Sequence, residues 1–127
     1  MKYAIDPDEV NAQEFYKSGI TSVGFSPDHS NVIGGQITVF KTAPDHMANR
    51  IVKEHAAMKG SVCSTVKDVY GASNQMPKTR MGIFHLLKEA LRKDDLLKKY
   101  QMPFVIAAET AGEIQCLMEL LKDEDIQ

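Results

Sequence analysis

Pro103-Phe104-Val105-Ile106-Ala107-Ala108-Glu109-Thr110-Ala111-Gly112-Glu113 is the stretch from which the fold is read. Phe104 to Ala108 is a continuous apolar run opened by a proline, and such runs belong to strands buried on both faces, as in a parallel sheet. Thr110 and Glu113 stand three apart, the spacing of a capping box in which hydroxyl and carboxylate satisfy the free amides of a helix start. Ile114, Leu117, Met118 and Leu121 follow at helical spacing and predict the buried stripe of that helix. A buried strand leading straight into a capped amphipathic helix is the unit from which α/β folds are built.

The same rhythm runs upstream. Phe84, Leu87 and Leu91, flanked by Ile83 and Leu86, predict an amphipathic helix over Arg80 to Lys93, and Asp94-Asp95 caps a further turn ending near Tyr100. Asp8 to Lys17 suits a short helix with Asp6 or Asp8 as its N-cap and Ser18-Gly19 as its stop. Ile20 to Phe25 is rich in β-branched residues and reads as a strand. A loop over Ser26 to Asn31, closed by Val32 to Gln36, leads to a second strand from Ile37 to Lys41. Asp45 to Glu54 looks helical, Ala56 to Val62 reads as a short buried strand, and Ser64 to Thr79 is a long polar connection. A structureless loop of that length is either functional or wrongly assigned. The expected fold class is α/β, with parallel strands alternating with helices in a single domain over residues 1–127.

Composition excludes several functions. The chain has 127 residues, 43% of them hydrophobic and 25% charged, which suits one globular domain. Its formal net charge of −2 leaves no broad electrostatic footprint for nucleic acid. No apolar run approaches the roughly 20 residues of a membrane span, so no membrane partner is expected. Acids and a proline stand at Asp6-Pro7-Asp8 where a secretory signal would need an apolar core, so a cytoplasmic location is expected. Cys63 and Cys116 lie far apart with no metal-ligand spacing and read as free, mostly buried thiols.

An ordered series of short words runs along almost the whole chain: Ala4-Ile5-Asp6-Pro7, Gly19-Ile20-Thr21-Ser22-Val23, Ser30-Asn31-Val32-Ile33-Gly34-Gly35-Gln36, Ala56-Ala57-Met58-Lys59, Val69-Tyr70-Gly71, Met76-Pro77, Thr79-Arg80-Met81-Gly82 and Leu86-Leu87-Lys88-Glu89-Ala90-Leu91. In content and order it resembles bacterial metal-dependent amidohydrolases related to imidazolonepropionase. The resemblance implies part of a (β/α)8 TIM barrel. It also implies hydrolysis of C–N bonds in cyclic amides or dipeptides, with a divalent metal such as zinc at the C-terminal ends of the strands. A full barrel needs about 250 residues. The chain is therefore expected to correspond to an internal portion, from after the first barrel strand to just after the fifth.

The resemblance also shows what is missing. The family's first His-x-His motif would precede Met1, and its later histidine and aspartate would follow Gln127. A further motif, His-x-His-Arg-Ala-Asp-Asp-Ile, falls on Ala107-Ala108-Glu109-Thr110-Ala111-Gly112-Glu113-Ile114, so Ala107 and Glu109 replace both histidines. Cys63-Ser64-Thr65 stands where the family has Gly-Glu-Asn, and Asp28-His29 where it usually has Gly-Ser. Alanine offers no lone pair to a metal, and one carboxylate cannot replace about three protein ligands.

Lys59 matches a family lysine that, by similarity with related amidohydrolases, bridges two metals as a carbamate. Without the histidines an ordinary ammonium is the favoured reading. Glu109, at a strand end, is a candidate metal ligand or base, or a partner for a helix N-terminus; the last is favoured. Asn31, Gly34, Gly35 and Gln36 are candidate ligand-binding residues, since paired glycines let backbone amides approach an anion or small polar ligand. A tight turn between strands explains the same letters and is preferred. His29, His46, His55 and His85 share no metal-pair spacing and read as surface residues; the Asp28-His29 couple carries little weight.

Three functions follow. The first is a truncated or degenerate amidohydrolase-like chain, inactive alone, whose open sheet edges favour a homo-oligomer. The second is a module binding a small molecule or anion without turnover. The third is an enzyme whose metal site is completed by another polypeptide.

Overall fold

The computed structural model describes residues 11–92 and 102–123. β1 (Ser22–Phe25), β2 (Ile33–Lys41) and β3 (Ile51–Ser61) pair antiparallel in chain order, and β4 (Phe104–Ala107) joins β3 in parallel, giving one sheet of order β1-β2-β3-β4. The helices are α1 (Ala12–Lys17), α2 (Met47–Arg50), α3 (Ser64–Ala72), α4 (Arg80–Arg92) and α5 (Ala111–Asp123). Gly24 faces Val39, Ile37 faces Ala57, and Lys59 faces Val105.

The α/β class holds, but the expectation of parallel strands throughout does not. Only residues 26–32 join β1 to β2 and only residues 42–50 join β2 to β3. A parallel crossover needs a dozen residues or more, so these connections can close only antiparallel pairs. β3 and β4 are separated by α3 and α4 and form the one parallel pair of the described sheet.

Three local expectations are also corrected. Asp45 to Glu54 holds just the single turn of α2, and the chain is extended from Ile51. Pairing with β2 overrides the local pattern there. The Arg50 Nε donates to the Lys41 carbonyl at 3.2 Å, its guanidinium lies 5.9 Å from the centre of the Phe40 ring, and the Thr38 hydroxyl donates to the Glu54 carbonyl at 2.8 Å. The long connection after Ser64 opens with α3, whose Val66 is fully buried. The expected turn at Val32 to Gln36 instead opens β2, which begins at Ile33.

α4, β4 and α5 stand where the sequence placed them, but the expected stripe of α5 is corrected: Glu113 and Leu120 are buried, Leu117 and Leu121 partly so, and Ile114 and Met118 are exposed. The candidate caps Asp6 and Asp8 and the turn after Asp94-Asp95 lie outside the described residues. Of the two thiols Cys63 is buried, whereas Cys116 is exposed on α5.

The core lies between the sheet and the helices on one of its faces. Val32, Val62, Val66, Ile83, Leu87, Leu91 and Leu120 are buried together, with Phe104, Ile106 and Ala108 packed against them. Alternation along β4 therefore turns Val105 and Ala107 to the other face. Val105 is 48% exposed, so β4 is not buried on both faces as its apolar run suggested.

Candidate functional site

The C-terminal ends of parallel strands are where α/β sheets place ligand-binding groups. In this chain those are the ends of β3 and β4, with Lys59 and Ser61 on the same face as Val105 and Ala107. Lys59 is buried, and its Nζ donates to the Ser26 hydroxyl at 3.1 Å and the Pro27 carbonyl at 3.0 Å. The ammonium is thus held by neutral oxygens of the loop between β1 and β2.

Asp28 braces that loop. Its Oδ1 accepts from the Ser30 hydroxyl at 2.5 Å and the Ser30 amide at 3.2 Å. These two bonds, the hydroxyl first, hold the Asp28 carboxyl below its ordinary value of 3.8. Gly34 and Gly35 lie beneath the loop. A Cβ at Gly34 would meet the Asp28 carbonyl and Pro27 Cβ, each at 3.6 Å, and one at Gly35 would meet Pro27 Cγ at 3.4 Å. Gly35 also has φ +127°, a conformation that L side chains rarely adopt, beside a register shift between Ile33 and Gly35. Contacts of this length are ordinary, so it is the φ of Gly35, not space, that calls for glycine here.

Asn31 and Gln36 are drawn into separate pairs. The Tyr70 hydroxyl donates to Asn31 Oδ1 at 2.9 Å, while Gln36 Oε1 lies 2.5 Å from His55 Nδ1. The four candidate ligand-binding residues do not converge on one point. His29, His46, His55 and His85 are all exposed, as expected.

At the end of β4 the capping box forms as the sequence spelled it. Glu113 Oε2 accepts from the amides of Glu109 at 2.8 Å and Thr110 at 3.1 Å, and the Glu113 amide donates to the Thr110 hydroxyl at 3.2 Å. What the sequence reading missed is how deeply Glu113 is buried. Its other oxygen, Oε1, has no hydrogen-bond partner and lies 3.8 Å from the Arg80 guanidinium. The available signal was its place four residues before Leu117, on the apolar stripe. Glu109 itself is exposed and accepts from the Ser64 hydroxyl at 3.2 Å, at the first residue of α3.

Lys59 and Glu109 do not fit a shared divalent metal. Val105 is the register partner of Lys59, and Glu109 lies four residues further along. Lys59 Nζ is engaged by Ser26 and Pro27, and Glu109 Oε2 by the Ser64 hydroxyl, so the two side chains are drawn to different partners. Among the described residues no group of three or more His, Cys, Asp or Glu is placed to hold a metal ion. An open groove of about 440 Å³ lies elsewhere, between α4 and α5, lined by Met81, Phe84, Cys116, Glu119 and Leu120 among others.

Compared with solved structures, the chain is similar to an amidohydrolase from Thermotoga maritima MSB8, with a TM-score of 0.77 and 22% sequence identity. The match covers 99% of this chain and 40% of that one. No protein-family model and no curated protein matches the sequence. The fold is thus amidohydrolase-like, and the chain spans about two-fifths of the length of the protein it matches. Among the described residues no helix is long and apolar enough to cross a membrane.

Proposed function

We propose that this chain is an amidohydrolase-like protein that does not hydrolyse C–N bonds by itself. The observation that carries this reading is the state of Lys59. Its Nζ is spent on Ser26 and Pro27, while Glu109 accepts from the Ser64 hydroxyl. To form a carbamate the amine must be neutral and free to face metals, but this one is buried beneath a loop that closes on it. Ala107, at the position corresponding to the first histidine of the motif, supplies no donor. The kinship with imidazolonepropionase-related enzymes belongs to the same proposal and rests on the ordered words of the sequence.

The purified full chain, supplied with zinc, manganese or cobalt, is expected to give no turnover above a metal-only blank in a panel of cyclic amides, imides and dipeptides. Turnover abolished by a chelator and by Lys59→Met would contradict the proposal. Lys59→Met should leave the fold intact, because methionine has a similar length and removes the cost of burying an ammonium.

A further inference from the structure

We infer that residues 26–31 form a strap that opens and closes over Lys59 while the rest of the fold stays intact, and so switches that amine between a spent and an available state. The strap is anchored at both ends. Phe25 pairs with Thr38 in the sheet, and the carbonyl of the buried Val32 accepts from the Ser61 amide at 3.0 Å. Between these anchors, among the described residues, no amide or carbonyl of 26–31 bonds to another backbone group. A segment without backbone bonds of its own belongs to the low-stability end of a structure, where local opening costs far less than global unfolding.

Side chains therefore hold the strap down. Near its first anchor the Lys59 Nζ donates to the Ser26 hydroxyl and the Pro27 carbonyl, and beside its second the Tyr70 hydroxyl of α3 donates to Asn31 Oδ1. The Asp28 carboxylate bonds to Ser30, within the strap itself. It keeps the shape of the turn and adds no hydrogen bond to the body. Pro27 faces Gly34 and Gly35, which present no side chain for it to interlock with.

The closed state thus depends on two latches, one at each end of a short segment between fixed points. Releasing the Tyr70 latch favours opening as a whole, so Tyr70 governs access to Lys59 although it bonds to neither Lys59 nor its two acceptors. Lys53 supplies an internal reference, since it lies on the same strand and is exposed. The inference rests on the proposed reading of Lys59 as a spent amine, and its test reads labelling rather than turnover.

The full chain is treated with N-acetoxysuccinimide, which acetylates a free primary amine with loss of N-hydroxysuccinimide, and the acetylation of Lys59 and Lys53 is followed by peptide mass spectrometry. Lys59 is expected to label about tenfold more slowly than Lys53, or slower still. Tyr70→Phe and Asn31→Ala cut the same bond from its two sides, and each should speed Lys59 several-fold while leaving Lys53 unchanged. Urea well below the unfolding transition should alter the Lys59 rate little, because opening a strap exposes little surface. Labelling of Lys59 as fast as Lys53 would overturn both the strap and the reading of Lys59 as spent. A rate that neither variant moves, or that climbs with urea as steeply as global unfolding, would overturn the strap alone, because Lys59 would then be uncovered only when the whole fold opens.

Discussion

Gly60→Ala is expected to cost about 3 kcal/mol of stability, near the upper end of what one added methyl group does in a packed interior. A Cβ at this position would lie 2.8 Å from Phe104 Cε1 and 2.9 Å from the Val32 carbonyl oxygen. Neither neighbour can yield cheaply. The Val32 carbonyl is fixed by the Ser61 amide at 3.0 Å, and the Phe104 ring packs against the core cluster. Relief therefore requires β3 to move away from β2 or β4, which breaks the junction that joins the antiparallel and parallel parts of the sheet. Gly112→Ala is the control, because a Cβ there meets nothing within 4 Å and alanine favours the helix. Chemical denaturation should show the first variant strongly destabilised and the second equal to the parent or slightly more stable. Equal midpoints for Gly60→Ala and the parent would mean that the three strands do not meet so closely.

Glu113→Ala should be comparably costly, at about 3 kcal/mol. The carboxylate satisfies two backbone amides at the start of α5 from a buried position, and charge-assisted bonds of this kind exceed an ordinary cap. Truncation leaves the Glu109 and Thr110 amides without that acceptor at the point where β4 turns into α5. Glu113→Gln retains one acceptor oxygen and should cost about 1 kcal/mol. Arg80→Ala should cost less still, since Arg80 is largely exposed and sits at 3.8 Å. The order Ala, then Gln, then Arg80→Ala is the diagnostic result. If Arg80→Ala matched Glu113→Ala, the ion pair rather than the cap would hold the helix start.

These two sites also show which parts of the fold were legible in the sequence. Thr110 and Glu113 act within one turn of each other, and Ile83, Leu87 and Leu91 repeat along one helix, so near neighbours along the chain reveal both features. β3 was only partly legible. Ala56 to Val62 reads as a strand, but Ile51 to His55 is extended through pairing with β2 and through the Arg50 contacts to Lys41 and Phe40, none of which is local. The same remoteness hid the antiparallel topology, although the short connections at residues 26–32 and 42–50 would have given it once β3 was placed correctly.

The candidate site follows the same rule. Lys59 could be singled out by its place in a family word, but its partners, Ser26 and Pro27, stand more than thirty positions away, and no spacing links them. Of Gly34 and Gly35, only Gly35 takes a backbone conformation that calls for glycine. The neighbour both glycines face at ordinary contact distance is Pro27, which no spacing in the sequence indicates. Glu109 was placed correctly at a strand end, while the deeper carboxylate four residues later does the capping.

On the proposed reading, the strand ends of this amidohydrolase-like sheet hold no metal centre. Zinc titration of the metal-free full chain by calorimetry, with the bound metal then counted after dialysis, tests it most directly. No saturable binding in the micromolar range and no retained zinc are expected, with Lys59→Met and Glu109→Gln chains indistinguishable from the parent. One zinc retained per chain, and lost in either variant, would contradict it.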